Sequence, residues 1–245
     1  MNVRGFVVSL GVVCGIAACK APAKEDAKPK EAAPQVNTTP AELKPTGCDP
    51  APKWVGLDAC HEDGWVYAVG RKKITSSKPL AKAVVAAKAR AAVARAARVM
   101  DVNERYILED SEVLYAHMCN DEWVAIGRMK KQPPPALPAC PAKLFEQAPP
   151  VPEHCPDWTT RIGWKEGDTY VGVGMSQNTH NPTQAPAEAK ARALAQAQAV
   201  LRSVVGVDGD SATIPHDSGQ LAEGKLLMAA CGDIAYAQVS TTLKK

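Results

Sequence analysis

The chain states one pattern twice. Trp54 and Trp158 each open a segment in which a glycine follows at the same spacing, Gly70 in the first and Gly174 in the second. An alanine-rich stretch comes next in both, with Ala87-Lys-Ala-Arg90 answered by Ala189-Lys-Ala-Arg192. Each segment then closes on a cysteine, Cys119 or Cys231, and an apolar strand-like run. A repeat of roughly a hundred residues has the size of a domain, not of a solenoid unit. The prediction is two tandem copies of one small domain.

Each copy reads strand–strand–helix–strand–strand. Trp54 to Ala59 forms a short strand, His61-Glu-Asp-Gly64 turns, and Trp65 to Val69 returns, because Asp-Gly is a favoured hairpin dipeptide. In the second copy Lys165 to Asp168 is the turn. The helix of copy one spans about residues 80–100, with Val85, Ala89, Ala92, Val93, Ala96 and Met100 on one face. In copy two Ala187, Ala191, Leu194, Ala197, Leu201 and Val205 fall at the same spacing. Asn120-Asp121 and Gly232-Asp233 turn the closing hairpins. A helix on one face of an antiparallel sheet is an α+β layer architecture. Each copy is therefore expected to be an antiparallel sheet carrying one long Ala-rich helix, over residues 48–130 and 155–245. Between them, 131–154 is rich in proline and reads as an extended, semi-rigid connector.

The first residues belong to targeting. Arg4 gives a positive start, and Phe6 to Ile16 is an apolar run too short to span a bilayer. Ile16-Ala-Ala-Cys19 resembles the lipobox of bacterial lipoproteins. That resemblance implies a signal peptide over 1–18, cleavage after Ala18 and lipidation of Cys19, with Lys20 directing the chain to the outer membrane rather than the inner one. Several acyl chains on one residue anchor firmly where one chain binds only marginally. Residues 19–47 carry almost no large apolar side chain and are expected to be a disordered Lys/Ala/Pro tether. The membrane is expected as a partner through this lipid alone.

Cys14 leaves with the signal and Cys19 takes lipid, which leaves Cys48, Cys60, Cys119, Cys140, Cys155 and Cys231. An even number in an exported chain points to disulfides. The repeat favours Cys48–Cys119 and Cys155–Cys231 as equivalent bonds, with Cys60 and Cys140 left to pair. The rival set joins near neighbours, Cys48–Cys60 and Cys140–Cys155, and leaves Cys119–Cys231. Zinc is not expected, since no C-x2-C pair occurs.

The unit resembles the Lpp-twenty lipoprotein family and the related N-terminal domain of the flagellar assembly protein T. Pro52-Lys-Trp54-Val and Pro156-Asp-Trp158, then Tyr67-Ala-Val-Gly70 and Val171-Gly-Val-Gly174, carry the likeness together with the Ala-Lys-Ala-Arg helices. It implies a small α+β domain in a cell-envelope lipoprotein and supplies no catalytic residues.

No nucleophile elbow, zinc-protease helix motif, phosphate loop or calcium loop occurs, so no catalytic residue, metal or cofactor is assigned. One feature exceeds a plain scaffold. From Arg71 to Arg98 nine cations run without an acidic residue. Its simplest reading is a solvated helix face. Its functional reading is a site for an anionic partner at Lys82, Lys88, Arg90, Arg95 and Arg98, whether lipid phosphate, lipopolysaccharide or acidic protein. Nucleic acid is excluded by compartment. The sequence thus points to a non-catalytic cell-envelope lipoprotein with a structural or protein-interaction role and an unidentified envelope protein partner, at the outer membrane facing periplasm or surface.

Overall fold

The two expected units share one sheet. In the computed structural model the described residues are 36–75, 77–98, 105–206, 212–213, 220–222 and 224–244. The signal peptide and Cys19 lie outside them, as does Met100. The strands are β1 (Ala59–Glu62), β2 (Trp65–Lys73), β3 (Arg105–Glu109), β4 (Glu112–Cys119), β5 (Glu122–Lys130), β6 (Arg161–Glu166), β7 (Thr169–Ser176), β8 (Arg202–Gly206), β9 (Ala212–Thr213), β10 (Lys225–Cys231) and β11 (Ile234–Thr241). The helices are α1 (Lys78–Ala96) and α2 (Ala185–Leu201). Eight strands form one antiparallel sheet in the order β1-β2-β5-β4-β6-β7-β11-β10. The mixed α+β class stands, but the sheet is twice as large as expected and runs through both halves. Gln35–Lys245 is one compact unit.

Where β4 meets β6 the ladder is short, with only Val113↔Gly163 and Tyr115↔Arg161 paired. The buried carboxylate of Glu112 reinforces it. One oxygen accepts the backbone N–H of Lys165 at 2.9 Å, and the other accepts Arg128 Nε at 2.6 Å. Glu112 is 3% exposed, so both oxygens need these donors. Three strands are thereby tied through one side chain.

Glycine opposite alanine sets the helix positions. A β-carbon added at Gly70 would overlap the backbone of Ala89, and one at Gly172 or Gly174 the backbone of Ala189, Ala193 or Ala197. Missing side chains on the strand and methyl groups on the helix bring the backbones together. The buried row of α2 is accordingly Ala185, Ala189, Ala193 and Ala197, while the expected Ala187 and Ala191 are exposed. Expected helix position Val205 lies in β8. An alanine helix offers nearly the same hydrophobicity on several faces, so periodicity placed Ala197 correctly but not Ala187 and Ala191.

β7 is buried on both sides. Gly172 and Gly174 face α2, while Val171, Val173 and Met175 join Ala81, Val85, Ala86 and Ala89 of α1 in one core cluster. β2 and β5 are likewise double-sided: Val66 and Ala68 cluster with α1, and Tyr67, Val124 and Ile126 cluster with Trp54, Val55, Leu57 and Leu144. Around Trp54 and Trp158 the chain forms short 3-10 turns, Lys53–Gly56 and Asp157–Thr160, where the sequence pattern suggested strand. Asp63 and Gly64, both at positive φ (48° and 76°), make the tight turn expected between β1 and β2. β3, β8 and β9, unforeseen in the sequence, form a second small sheet that joins the segments following the two helices.

The connector is not a free spacer. His61 N–H donates to Pro138 O and Cys140 N–H to His61 O, both at 2.9 Å, so 138–140 lies along β1. The described end of the expected tether docks too: Asn37 N–H donates to Pro135 O and Ala41 N–H to Ala139 O. Three disulfides brace this arrangement, Cys48–Cys119, Cys60–Cys140 and Cys155–Cys231. They are the set favoured by the repeat, not the near-neighbour set. A bond that closes a long loop restricts the unfolded chain most.

Gly70→Ala and Gly172→Ala should each lower the unfolding free energy by about 3 kcal/mol through overlap with helix backbone. Gly167→Ala, where the turn has open space but positive φ, should cost about 1 kcal/mol. Urea midpoints of the three variants against the parent chain check this ranking.

Candidate functional site

A cleft opens where the two halves meet. Its volume is about 410 Å³. β4 supplies Ala116 and Met118, β5 supplies Trp123, β7 supplies Met175, and β11 supplies Ile234 and Tyr236. Pro150, Val151 and Pro152 of the connector and Thr159 and Thr160 of the second 3-10 turn complete the wall. The lining is mainly apolar and aromatic. Trp123 adds a buried indole N–H with no hydrogen-bond partner.

Buried Lys82 contacts this wall without itself lining the cleft. Its Nζ donates to Thr159 O at 2.7 Å and sits 5.5 Å from the Trp123 ring and 5.4 Å from the Tyr236 ring. All three of those neighbours line the cleft. No carboxylate among the described residues pairs with Lys82. The carbonyl and the two ring faces favour the ammonium. Burial opposes it more strongly and pushes its pKa down from 10.5 to about 7.

The five cations named from the sequence do not share one surface. Lys82 and Arg90 are buried, at 5% and 2% exposure. Arg90 reaches across to α2, where its Nη1 donates to Gln196 Oε1 at 3.1 Å, and burial lowers its pKa to about 10. Lys88 is half-buried, and Arg95 and Arg98 are exposed near the end of α1. Because α1 is covered by both halves of the chain, an uninterrupted run of cations in sequence is divided between core and solvent.

His117 of β4 also lines the cleft. It is buried beside the first disulfide, its Nε2 3.6 Å from Cys48 Sγ, and burial lowers its pKa. His61 Nε2 lies 2.8 Å from Asn37 O, holding the docked N-terminal segment. Among the described residues no group of three or more His, Cys, Asp or Glu could hold a metal ion. No helix among them is long and apolar enough to cross a membrane. Sequence reasoning named Lys82 but missed Trp123 and Tyr236 beside it and Met118 in the cleft wall. Their convergence depends on β4, β5 and β11 meeting across the seam, which no local pattern reports. Compared with protein families, characterised proteins and solved structures, the chain matches none.

Lys82 gives the site a pH signature. Its folded pKa lies below its unfolded one, so between about pH 7 and 10.5 the unfolded chain binds the extra proton. Stability should therefore rise with pH across that window, by at most about 1.4 kcal/mol per unit. Burial raises the hydroxyl pKa of Tyr67 and Tyr236, so above about pH 10 these groups reverse the trend. Lys82→Met should remove the rise, read as urea midpoints at about pH 7 and about pH 9.5.

Proposed function

We propose that this protein is a non-catalytic lipoprotein of the bacterial cell envelope, anchored through Cys19 at the outer membrane, whose folded unit is a protein-interaction module. The observation that carries the interaction role is the seam cleft, an apolar and aromatic recess of about 410 Å³ that can seat an extended apolar peptide segment. The three disulfides suit an exported chain. The likeness to the Lpp-twenty lipoproteins and the lipobox residues supports the envelope assignment. β1, β2, α1, β4 and β5 are matched in order by β6, β7, α2, β10 and β11, and their strands sit in the sheet as β1-β2-β5-β4 and β6-β7-β11-β10. That order supports descent from two tandem copies that fused their sheets. The proline connector then acts as a wall of the cleft rather than as a spacer.

Lys78, the exposed lysine that lines the recess, favours a second reading in which the bound segment carries a carboxylate. This replaces an anionic site spread along α1, since Lys82 and Arg90 are buried. The Lys78 ammonium, with no ion-pair partner among the described residues, would meet an anion that enters the cleft.

A photo-crosslinking residue in place of Met118, in cells producing the full chain, should give discrete protein adducts. The same residue at exposed Arg95 should give none, and Ile234→Glu should suppress the Met118 adducts. Normal protein levels without adducts at 118 count against the interaction role. Metabolic labelling with a fatty-acid analogue should mark the parent chain and not Cys19→Ala; equal labelling of both removes the proposed anchor.

A further inference from the structure

The eight-stranded sheet has two edges, and the chain treats them differently. β1, at one edge, has only four residues and is covered. His61 exchanges backbone hydrogen bonds with 138–140, and Cys60–Cys140 locks that cover in place. β10, at the other edge, pairs with β11 over seven residues without a register shift. Among the described residues nothing pairs with its outer side.

An open edge is normally blunted by a charge, a proline, a bulge or a short strand. β10 has none of these between Leu226 and Cys231. Leu226, Leu227 and Met228 are instead 38%, 37% and 44% exposed, in a run of apolar residues. The two-residue turn Gly232-Asp233 makes Cys231 and Ile234 a hydrogen-bonded pair. Alternation then turns the backbone N–H and C=O of Leu226, Met228 and Ala230 outward. The edge is rigid as well, since Cys155–Cys231 holds its end.

The chain already shows how such an edge is used. β4 stands next to β5 as β10 stands next to β11, and the outer side of β4 receives the antiparallel strand β6. Strand addition at this position of the fold is therefore an interface the molecule makes within itself. A second copy cannot supply β1, because its own connector covers it. The edge of the eight-stranded sheet that it can offer is β10.

We infer that two copies of this chain join β10 to β10, antiparallel about a two-fold axis, into one continuous sheet. With Met228 on the axis, Leu226 lies opposite Ala230 of the second copy, and all three outward residues of each strand find ladder partners. The contact is isologous and uses up both open edges, so assembly stops at two. Leu226, Met228 and Ala230 do not line the seam cleft, so the contact does not depend on what that cleft binds.

The test is site-specific photo-crosslinking in cells producing the full chain, with the probe at Leu226. A single adduct of two chains, mapping by mass spectrometry to residues 225–231 of the second copy, is expected. Met228→Pro removes an outward N–H and leaves the β10–β11 ladder intact, so it should reduce that adduct roughly tenfold or more. Absence of thiol labelling confirms that its three disulfides have formed. Lack of a two-chain adduct, one mapping outside β10, an adduct with a different protein instead, a ladder of higher species, or an adduct unchanged by Met228→Pro in the disulfide-intact chain would each overturn the inference.

Discussion

Everything distinctive in this molecule follows from the short ladder between β4 and β6. A four-stranded sheet carrying one helix has an open strand edge and a thin core. By placing β6 on the edge of β4, the chain closes that edge and covers α1 from a second side. The pairing itself is small, two residue pairs, and Glu112 compensates by joining Arg128 of β5 to the backbone of Lys165 on β6. A buried carboxylate with both oxygens occupied acts as a geometric pin, since leaving either donor unmet would be costly.

The same closure explains the cations inside α1. A solitary helix on a sheet keeps an outer face for lysine and arginine. Here the second half of the chain lies against that face, and Lys82 and Arg90 are enclosed with it. Each finds polar contact on the covering half, Lys82 at Thr159 and Arg90 at Gln196. Neither has a carboxylate there, so burial depresses both pKa values. The same junction leaves the cleft open beside Thr159, Trp123 and Tyr236, the residues that Lys82 touches. Scaffold and candidate site are thus products of one packing event.

Much of the local structure was legible. Asp63-Gly64 and the closing turns at Asn120 and Gly232 placed the hairpins correctly, because these dipeptides suit tight turns. Cys48–Cys119 and Cys155–Cys231 followed from matched positions in the repeat, and Cys60–Cys140 from the two cysteines left over. The buried face of α2 was not legible, since Ala187 and Ala189 are equally apolar and only Gly172 and Gly174 on β7 decide between them. Nor was the site: Lys82 stood out by charge, but Trp123 and Tyr236 come from strands distant in sequence and meet it only across the seam. β3 and β8 escaped notice because each is half of a pair whose other half follows a different helix.

By itself the sequence determined the hairpins and helices of the large sheet: turn chemistry, strand runs, alanine helices and cysteine positions are written in local residue types. Tertiary structure alone decided that two units share one sheet, that α1 is enclosed, and that β10 rather than β1 is left open. The physical reason is that strand edges and helix backs carry no local mark of what will cover them. Backbone N–H and C=O groups are the same on every strand, so which edges pair is settled by the shapes and covers that the whole chain brings together.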